Sequence, residues 1–371
     1  MKIRLTGAVL VAAFLPAAAS AAQISPTVRV EGRTANVLPT TPVAIEKSGT
    51  ATLIVRDTSD PDTITVPTRS ATAHLATATS GFGLRLGFDL FDFGGPSSFV
   101  TQIGGDKAPT DFSASWRLKV NRKATSTGAD ATTLRASDSV LWSYGASFTS
   151  PELDLRTTKR HVTRGSTFQA RVEAYDNDGV STRGARATVR FAGTAKVANA
   201  SGIATFRATR DGAFWVSATR SGAVRSQQQL VCVHPASAGN PCSAVTFPKP
   251  AARVIEPSAI SGVVATLAPN SRVNVAVAKL VGSDCRFLKA DRRTFSAARP
   301  CGHPITIPVA ITTPNAWLLR ITSKRAGVAG RLSPGRYRVW SRMASGTRRE
   351  TRATQGINTV TFTVVFGGVY G

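Results

Sequence analysis

Four cysteines, four histidines and a surplus of arginine are the residues of this 371-residue chain whose chemistry can be weighed first. Cys232 and Cys242 enclose a short loop with Pro235, Gly239 and Pro241, and Cys285 and Cys301 bracket an Arg-rich segment. Neither pair has the two-residue spacing of a zinc knuckle, although His234 and His303 each follow a cysteine by two positions. Two local disulfides are the simplest of the three possible pairings, and no metal is expected. Nucleophilic catalysis needs a base beside the nucleophile. The histidines fall in separate segments and no Gly-x-Ser-x-Gly elbow occurs. Carboxylates such as Asp89 and Asp92 could meet in space, but acidic residues are scarce, 21 Asp and Glu against 46 Lys and Arg. A non-enzymatic protein without a cofactor is therefore expected.

The formal charge of +25 would attract polyanions of any kind, including wall polymers and acidic polysaccharides. From residue 251 onward, eighteen Lys and Arg stand against four Asp and Glu, a net of +14 in a third of the chain. The candidate anion-binding residues are Arg286, Lys289, Arg292 and Arg293 inside the second cysteine loop, with Arg348 and Arg349 towards the C-terminus. Arginine suits such ligands because its planar guanidinium makes two parallel hydrogen bonds. Only Phe287 and Phe295 flank the loop cluster, too few stacking rings to favour nucleic acid. A solvated basic surface competes with any selected role. Asp176-Asn177-Asp178 lacks the glutamate of a calcium loop, since the twelfth position is Ala187, and reads as a hairpin turn.

The elements that would position these residues are mostly strands. Lys2 and Arg4, the apolar run Leu5 to Ala19, and Ala19-Ser20-Ala21 have the form of a secretion signal covering residues 1–22. No later run reaches the roughly 18 apolar residues of a spanning helix. The expected location is secreted, extracellular or attached to the cell surface. Trp116 to Tyr144 organises residues 23–149. Trp116, Leu118 and Val120 alternate with polar neighbours, and Val140, Trp142 and Tyr144 do the same, so two strands of one small sheet are expected. Ala-rich Ser70 to Ser80, followed by Gly81, reads as a short helix containing a packed or surface His74. Gly83 to Gly95 carries Phe88, Phe91 and Phe93 and reads as a hairpin or an apolar lip over a cavity, with core packing the favoured reading of its apolar residues. With Asn121, at the start of the loop to Gly128, these three phenylalanines form the candidate ligand surface.

Val28 to Gly32, Ala73 to Ala78, Trp116 to Asn121 and Asp138 to Trp142 resemble, in order and spacing, the bacterial relatives of the C-terminal β-domain of transcobalamin and intrinsic factor. The resemblance covers roughly residues 26–149. The helix departs from the family's Ala-Leu-x-x-Ala core, because His74 sits between Ala73 and Leu75. The resemblance implies a small α+β fold on a mostly antiparallel sheet. In the vertebrate carriers such a domain helps to close over cobalamin; no ligand-contact residue carries over to this chain.

Residues 150–234 carry short strands punctuated by Asp176-Asn177-Asp178-Gly179, Ser201-Gly202 and Asp211-Gly212, and resemble bacterial immunoglobulin-like modules. Residues 235–250, with Pro248 and Pro250, read as a linker, and residues 251–371 as a second sandwich with a disulfide-bounded insertion. The expected fold class is thus mainly β and multidomain, one small α+β domain followed by two immunoglobulin-like β-sandwiches. The expected function is a secreted or cell-surface binding or adhesion protein, with the sandwiches as spacers or surface-associating modules. A small-molecule, corrinoid-like carrier and an envelope structural protein on anionic wall polymers are the alternatives.

Overall fold

The computed structural model describes residues 22–56, 61–92, 96–111, 113–145, 147, 149–235, 241–265, 271–312, 315–322, 330–345, 348–350 and 353–366. The chain is mainly β with one α-helix among the described residues, and its strands fall into several sheets.

In the N-terminal third, Ser115–Val120 pairs antiparallel with Ser139–Gly145, in the register Trp116 to Tyr144, Leu118 to Trp142 and Val120 to Val140. The expected strand pair is therefore present. Thr27–Glu31 joins Ser139–Gly145 in parallel on its other side and is followed by Asn36–Pro42. Lys123–Ala124 extends the opposite edge, but pairs only with Lys119 and Val120. Because side chains alternate across a strand, Val28, Val30, Trp116, Val140 and Trp142 share one buried apolar face. Arg29, Glu31, Arg117, Lys119 and Ser143 occupy the other.

The helix spans Ala71–Phe82, with the Ser70 side chain accepting the Ala73 N–H as an N-cap. It runs past Gly81 and stops at Gly83, whose φ of 61° lies in the left-handed region that glycine adopts without a steric cost. Ala71, His74, Leu75, Ala78 and Phe82 are buried, the spacing of one helical face. Leu86–Asp92 and Pro96–Ile103 form a hairpin, with Asp106–Lys107 as a third strand.

Two sheets packed face to face follow. Thr167–Tyr175 lies between Glu152–Thr157 on one side and Ser181–Arg183 and Ile203–Arg207 on the other. Opposite stand, in order, His161–Thr163, Gln229–His234, Gly212–Thr219, Thr188–Phe191 and Thr194–Val197. Their core holds Leu155, Phe168, Val172, Phe191, Phe206 and Val216. Phe191 meets Phe168 and Phe206 edge-on, at 4.8 and 5.6 Å. Asp176-Asn177-Asp178 is a turn: the Asp176 carboxylate accepts the Asp178 and Val180 N–H groups, both at 2.9 Å.

In the C-terminal third, Ser243–Phe247, Ala259–Val264, Ala316–Arg320 and Ile311–Thr312 form one sheet. Residues 235–250 are thus more than a linker, since Ser243–Phe247 is a fully buried strand. A larger sheet is built on Arg272–Val281 and Gly335–Ser345, flanked by Thr359–Val365 and by Asp284–Phe287. Gly262 leaves the space that Trp317 fills on the neighbouring strand, where a Cβ would lie 2.1 Å from the indole. Both expected disulfides are present, with Cα separations of 6.0 Å for Cys232 and Cys242 and 5.0 Å for Cys285 and Cys301.

The three segments are not beads on a string. One hydrophobic cluster runs from Val30, Leu75 and Trp142 through Phe82 and Phe247 to Trp317, Val339 and Phe362. Phe82 and Phe247 meet edge-on at 4.9 Å. The helix end is buried against the C-terminal segment, and its backbone is bonded there through Ser258 and Ile255 to Gly81 and Gly83.

Candidate functional site

The polar face of the N-terminal sheet is where the middle unit docks. The Arg29 guanidinium bonds the Glu152 carboxylate at 2.6 Å, with both side chains almost fully buried. Glu31 is 2% exposed and lies between Arg29 at 3.8 Å and Arg225 at 3.3 Å. Burial raises its carboxyl above the ordinary range, opposed by Arg29, the Asn36 amide and Arg225. Lys119 donates to the Asp176 carbonyl at 3.0 Å, and burial lowers its pKa.

The tight turn Asn121-Arg122, both residues at positive φ, carries Arg122 onto the middle unit. There its guanidinium bonds Asp154 at 2.7 Å and covers the Tyr175 ring at 3.9 Å. Ala124 N–H bonds Asn177 O at 2.8 Å.

Beside this junction opens a cavity of about 670 Å³. Its walls come from three places: Trp116 to Lys119 with Trp142 to Gly145, then Ser98 to Val100 with the 124–129 loop, and Gly222 to Arg225 with Asn177 of the middle unit. Trp116 and Tyr144 meet edge-on at 5.3 Å. The Trp116 and Trp142 indole N–H groups are buried without a hydrogen-bond partner. Arg33 bonds the Tyr144 hydroxyl at 2.8 Å, and that hydroxyl donates to Lys107 O at 3.1 Å. Four cationic side chains, Arg33, Arg117, Lys119 and Arg225, line the cavity against one carboxylate, Glu31. Cavities of about this size hold small molecules or short chain segments.

The expected ligand-surface residues are placed differently. Phe88 is 5% exposed and belongs to the core, so it is no lip. The Phe91 side chain and Phe93 lie outside the described residues. Asn121 is spent on the turn: its amide donates to Asp138 Oδ1 at 2.8 Å and accepts the Ser139 N–H at 2.9 Å. The loop after it does line the cavity, through Ala124, Thr125, Thr127 and Gly128. Sequence alone does not group Arg33, Tyr144 and Arg225, which are far apart along the chain: Arg33 and Tyr144 meet within the N-terminal segment, and Arg225 of the middle unit joins them through the Gly32 and Arg33 carbonyls.

The candidate anion-binding residues form two groups. Arg286, Lys289 and Arg293 are exposed around a turn held by Asp291, whose carboxylate accepts the Arg293 and Thr294 N–H groups and the Thr294 hydroxyl. These bonds pull its pKa down to about 2. Arg292 takes a positive φ in the same turn. Arg349 lies on a separate hairpin with Arg348, whose side chain is outside the described residues. Lys279 pairs with Arg286 and Arg272 with Ala344, which in turn pairs with Arg349. The groups therefore sit seven residues apart along Arg272–Val281, roughly 23 Å at the usual strand rise. They are not one patch.

The fold is mainly β, and it holds a cavity of about 670 Å³. A family model described as a domain of unknown function, DUF4430, matches residues 87–146, which include both central strands of the cavity. No curated protein matches the chain. Among solved structures, a biofilm-associated protein BSP domain is 12% identical, covering 59% of this chain and 30% of its own, with a TM-score of 0.23. The Yersinia pseudotuberculosis adhesin InvE is 18% identical over 59% of this chain and 61% of its own, with a TM-score of 0.21. Dimeric latent PorU from Porphyromonas gingivalis is 10% identical over 92% of this chain and 32% of its own, with a TM-score of 0.25. The chain thus spans about a third of the length of the first and third of these, and overlaps at such scores define no shared function. No helix among the described residues is long and apolar enough to cross a membrane.

Proposed function

We propose that this is a secreted or cell-surface, non-enzymatic binding protein whose ligand enters the cavity between the N-terminal sheet, the 124–129 loop and the middle unit. The observation that carries the reading is the convergence of Trp116, Tyr144, Arg33 and Arg225 on one cavity of about 670 Å³. The immunoglobulin-like packing of residues 150–234 then serves to hold one wall of the site rather than to lengthen the molecule. A transcobalamin-like ancestry for residues 26–149 is compatible with a carrier that closes on its ligand.

The test uses the tryptophans of the wall. Intrinsic fluorescence of the full chain is titrated with wall polymer, acidic polysaccharide, a corrinoid and peptides, alongside Thr127→Trp, which fills the cavity. Binding by the native chain that the variant loses supports the site. Binding that the variant retains places the ligand elsewhere and overturns the reading.

A second reading has its own observation. The exposed Arg286, Lys289 and Arg293 turn offers cations to a polyanion on the far unit. Retention on anionic wall polymer through this turn would weaken steeply between low and physiological salt. Retention that is absent at low salt, or unchanged by salt, would remove it.

A further inference from the structure

The strand Ser115–Val120 has a free edge, and that edge faces the cavity. The two-residue turn Asn121-Arg122 makes Val120 and Lys123 its closing pair, so the Val120 backbone points away from Ser139–Gly145. Asn121 N–H, of the alternate set, bonds Ser139 O on the inner side at 2.8 Å, as this phasing requires. The Leu118 and Trp116 backbone groups therefore point outward with those of Val120. The partner strand Lys123–Ala124 ends at Lys119, and among the described residues no strand pairs with Trp116 or Leu118 on that side. Both residues line the cavity, as do Ala124 and Thr125, where the short strand stops.

Ser98 to Val100 of the strand Pro96–Ile103 line the same cavity. Its Ser98 N–H and hydroxyl are already taken by the Asp130 carboxylate, at 2.7 and 2.5 Å. The open backbone edge of Trp116 and Leu118 and the Asp130-bonded Ser98 thus line one cavity. Unpaired strand edges beside a cavity are where an extended chain adds as a further strand, its main chain supplying affinity and alternate side chains supplying specificity. Four cations against one carboxylate in the wall set the sign of those side chains.

We propose that the cavity takes an extended acidic peptide, which adds antiparallel or parallel to Trp116–Leu118 in line with Lys123–Ala124. The inference rests on the reading that this cavity is the ligand site. The added strand would bond the Trp116 and Leu118 N–H and C=O groups, and its carboxylates would face Arg33 and Arg117. A small organic anion is the competing occupant; it would use the same cations and leave the strand edge unpaired.

The experiment titrates the full chain with an amidated hexapeptide alternating glutamate and valine, with its lysine-for-glutamate counterpart, and with the acidic peptide N-methylated on each alternate set of residues. Hydrogen exchange at the Trp116 and Leu118 amides is followed in parallel. The expected result is binding of the acidic peptide, loss of about ten-fold or more in affinity for one methylated set and for the lysine peptide, and slowed exchange at those two amides. Leu118→Pro removes an outward N–H at an edge, where proline is tolerated, and should abolish binding while thermal unfolding stays near that of the native chain. Should that variant fail to fold, Arg33→Glu, at an exposed position, should lower the affinity for the acidic peptide and raise it for the basic one. The proposal is overturned if the acidic peptide does not bind at millimolar concentration, or if neither methylated set weakens it. A Thr127→Trp-sensitive ligand found while every peptide fails leaves the cavity as the site and removes only the peptide.

Discussion

Gly83 and Ile255 touch through their backbones: Ile255 N–H donates to Gly83 O at 2.9 Å, and a Cβ on Gly83 would lie 2.0 Å from Ile255 O. The helix end is thereby pressed onto the C-terminal segment, next to the Phe82 and Phe247 contact. Two requirements fall on one residue, a positive φ and the absence of a side chain.

Gly83→Ala is expected to destabilise the protein by at least about 2 kcal/mol, combining left-handed strain with the clash. Because the N- and C-terminal segments share one core, their unfolding should remain a single transition at a lower midpoint. Thermal unfolding by near-ultraviolet dichroism measures both points. A midpoint within a degree of the native value would show that the contact is not close.

Arg29 and Glu152 lock the middle unit to the N-terminal sheet. Arg29→Met leaves Glu152 and Glu31 buried without their shared cation, a change that costs about 3 to 5 kcal/mol when a buried pair is broken. Arg29→Met together with Glu152→Gln should recover part of that loss. A double-mutant cycle in urea measures the coupling, and additivity of the two changes would contradict it.

His74 is fully buried on the helix, and desolvation holds its pKa down to about 4, against a smaller opposing pull from the Pro26 and Val43 backbones. The unfolded chain takes up this proton at about pH 6.5, while the folded chain resists until about 4. The unfolded state therefore binds more protons in that window, so the contribution is complete above pH 6.5 and is lost as pH falls towards 4. The expected loss is about 3 kcal/mol, read from urea midpoints across the window. His74→Leu should flatten that part of the profile, and an unchanged slope would exclude His74 as its source.

The Cys232 to Cys242 bridge closes a short loop at the start of the C-terminal segment. Removing it by Cys232→Ser and Cys242→Ser should cost about 3 kcal/mol, the chain-entropy value for a loop of this length. The cavity lies apart from it, and neither cysteine is in the cavity wall. Ligand affinity measured below the unfolding transition should therefore be unchanged; a large loss of affinity would tie the loop to the site.

Much of the secondary structure was legible in the chain. Trp116 to Val120 and Val140 to Tyr144 announce their strands by alternation, and Ser70 and Gly83 bound the helix by capping chemistry, although the nearer Gly81 drew the expected end two residues early. The cysteines paired locally, as their short spacings suggest. Phe88 lies in the core, the favoured reading of its hairpin, although an apolar residue on a glycine-rich hairpin has the same sequence signature whether it faces a core or a ligand.

Sequence by itself determined the β-rich class, the punctuation of the strands and the two disulfide loops, all of which depend on neighbours within a few residues. Only the tertiary structure decided that the first and last thirds share a core, that Arg29 and Glu152 clamp the middle unit, and that the basic clusters stand apart. It also decided that Trp116 and Leu118 turn their backbones to an open cavity. These depend on which sheet faces meet across more than a hundred residues, and burial, charge pairing and strand-edge exposure are properties of that meeting rather than of any local pattern.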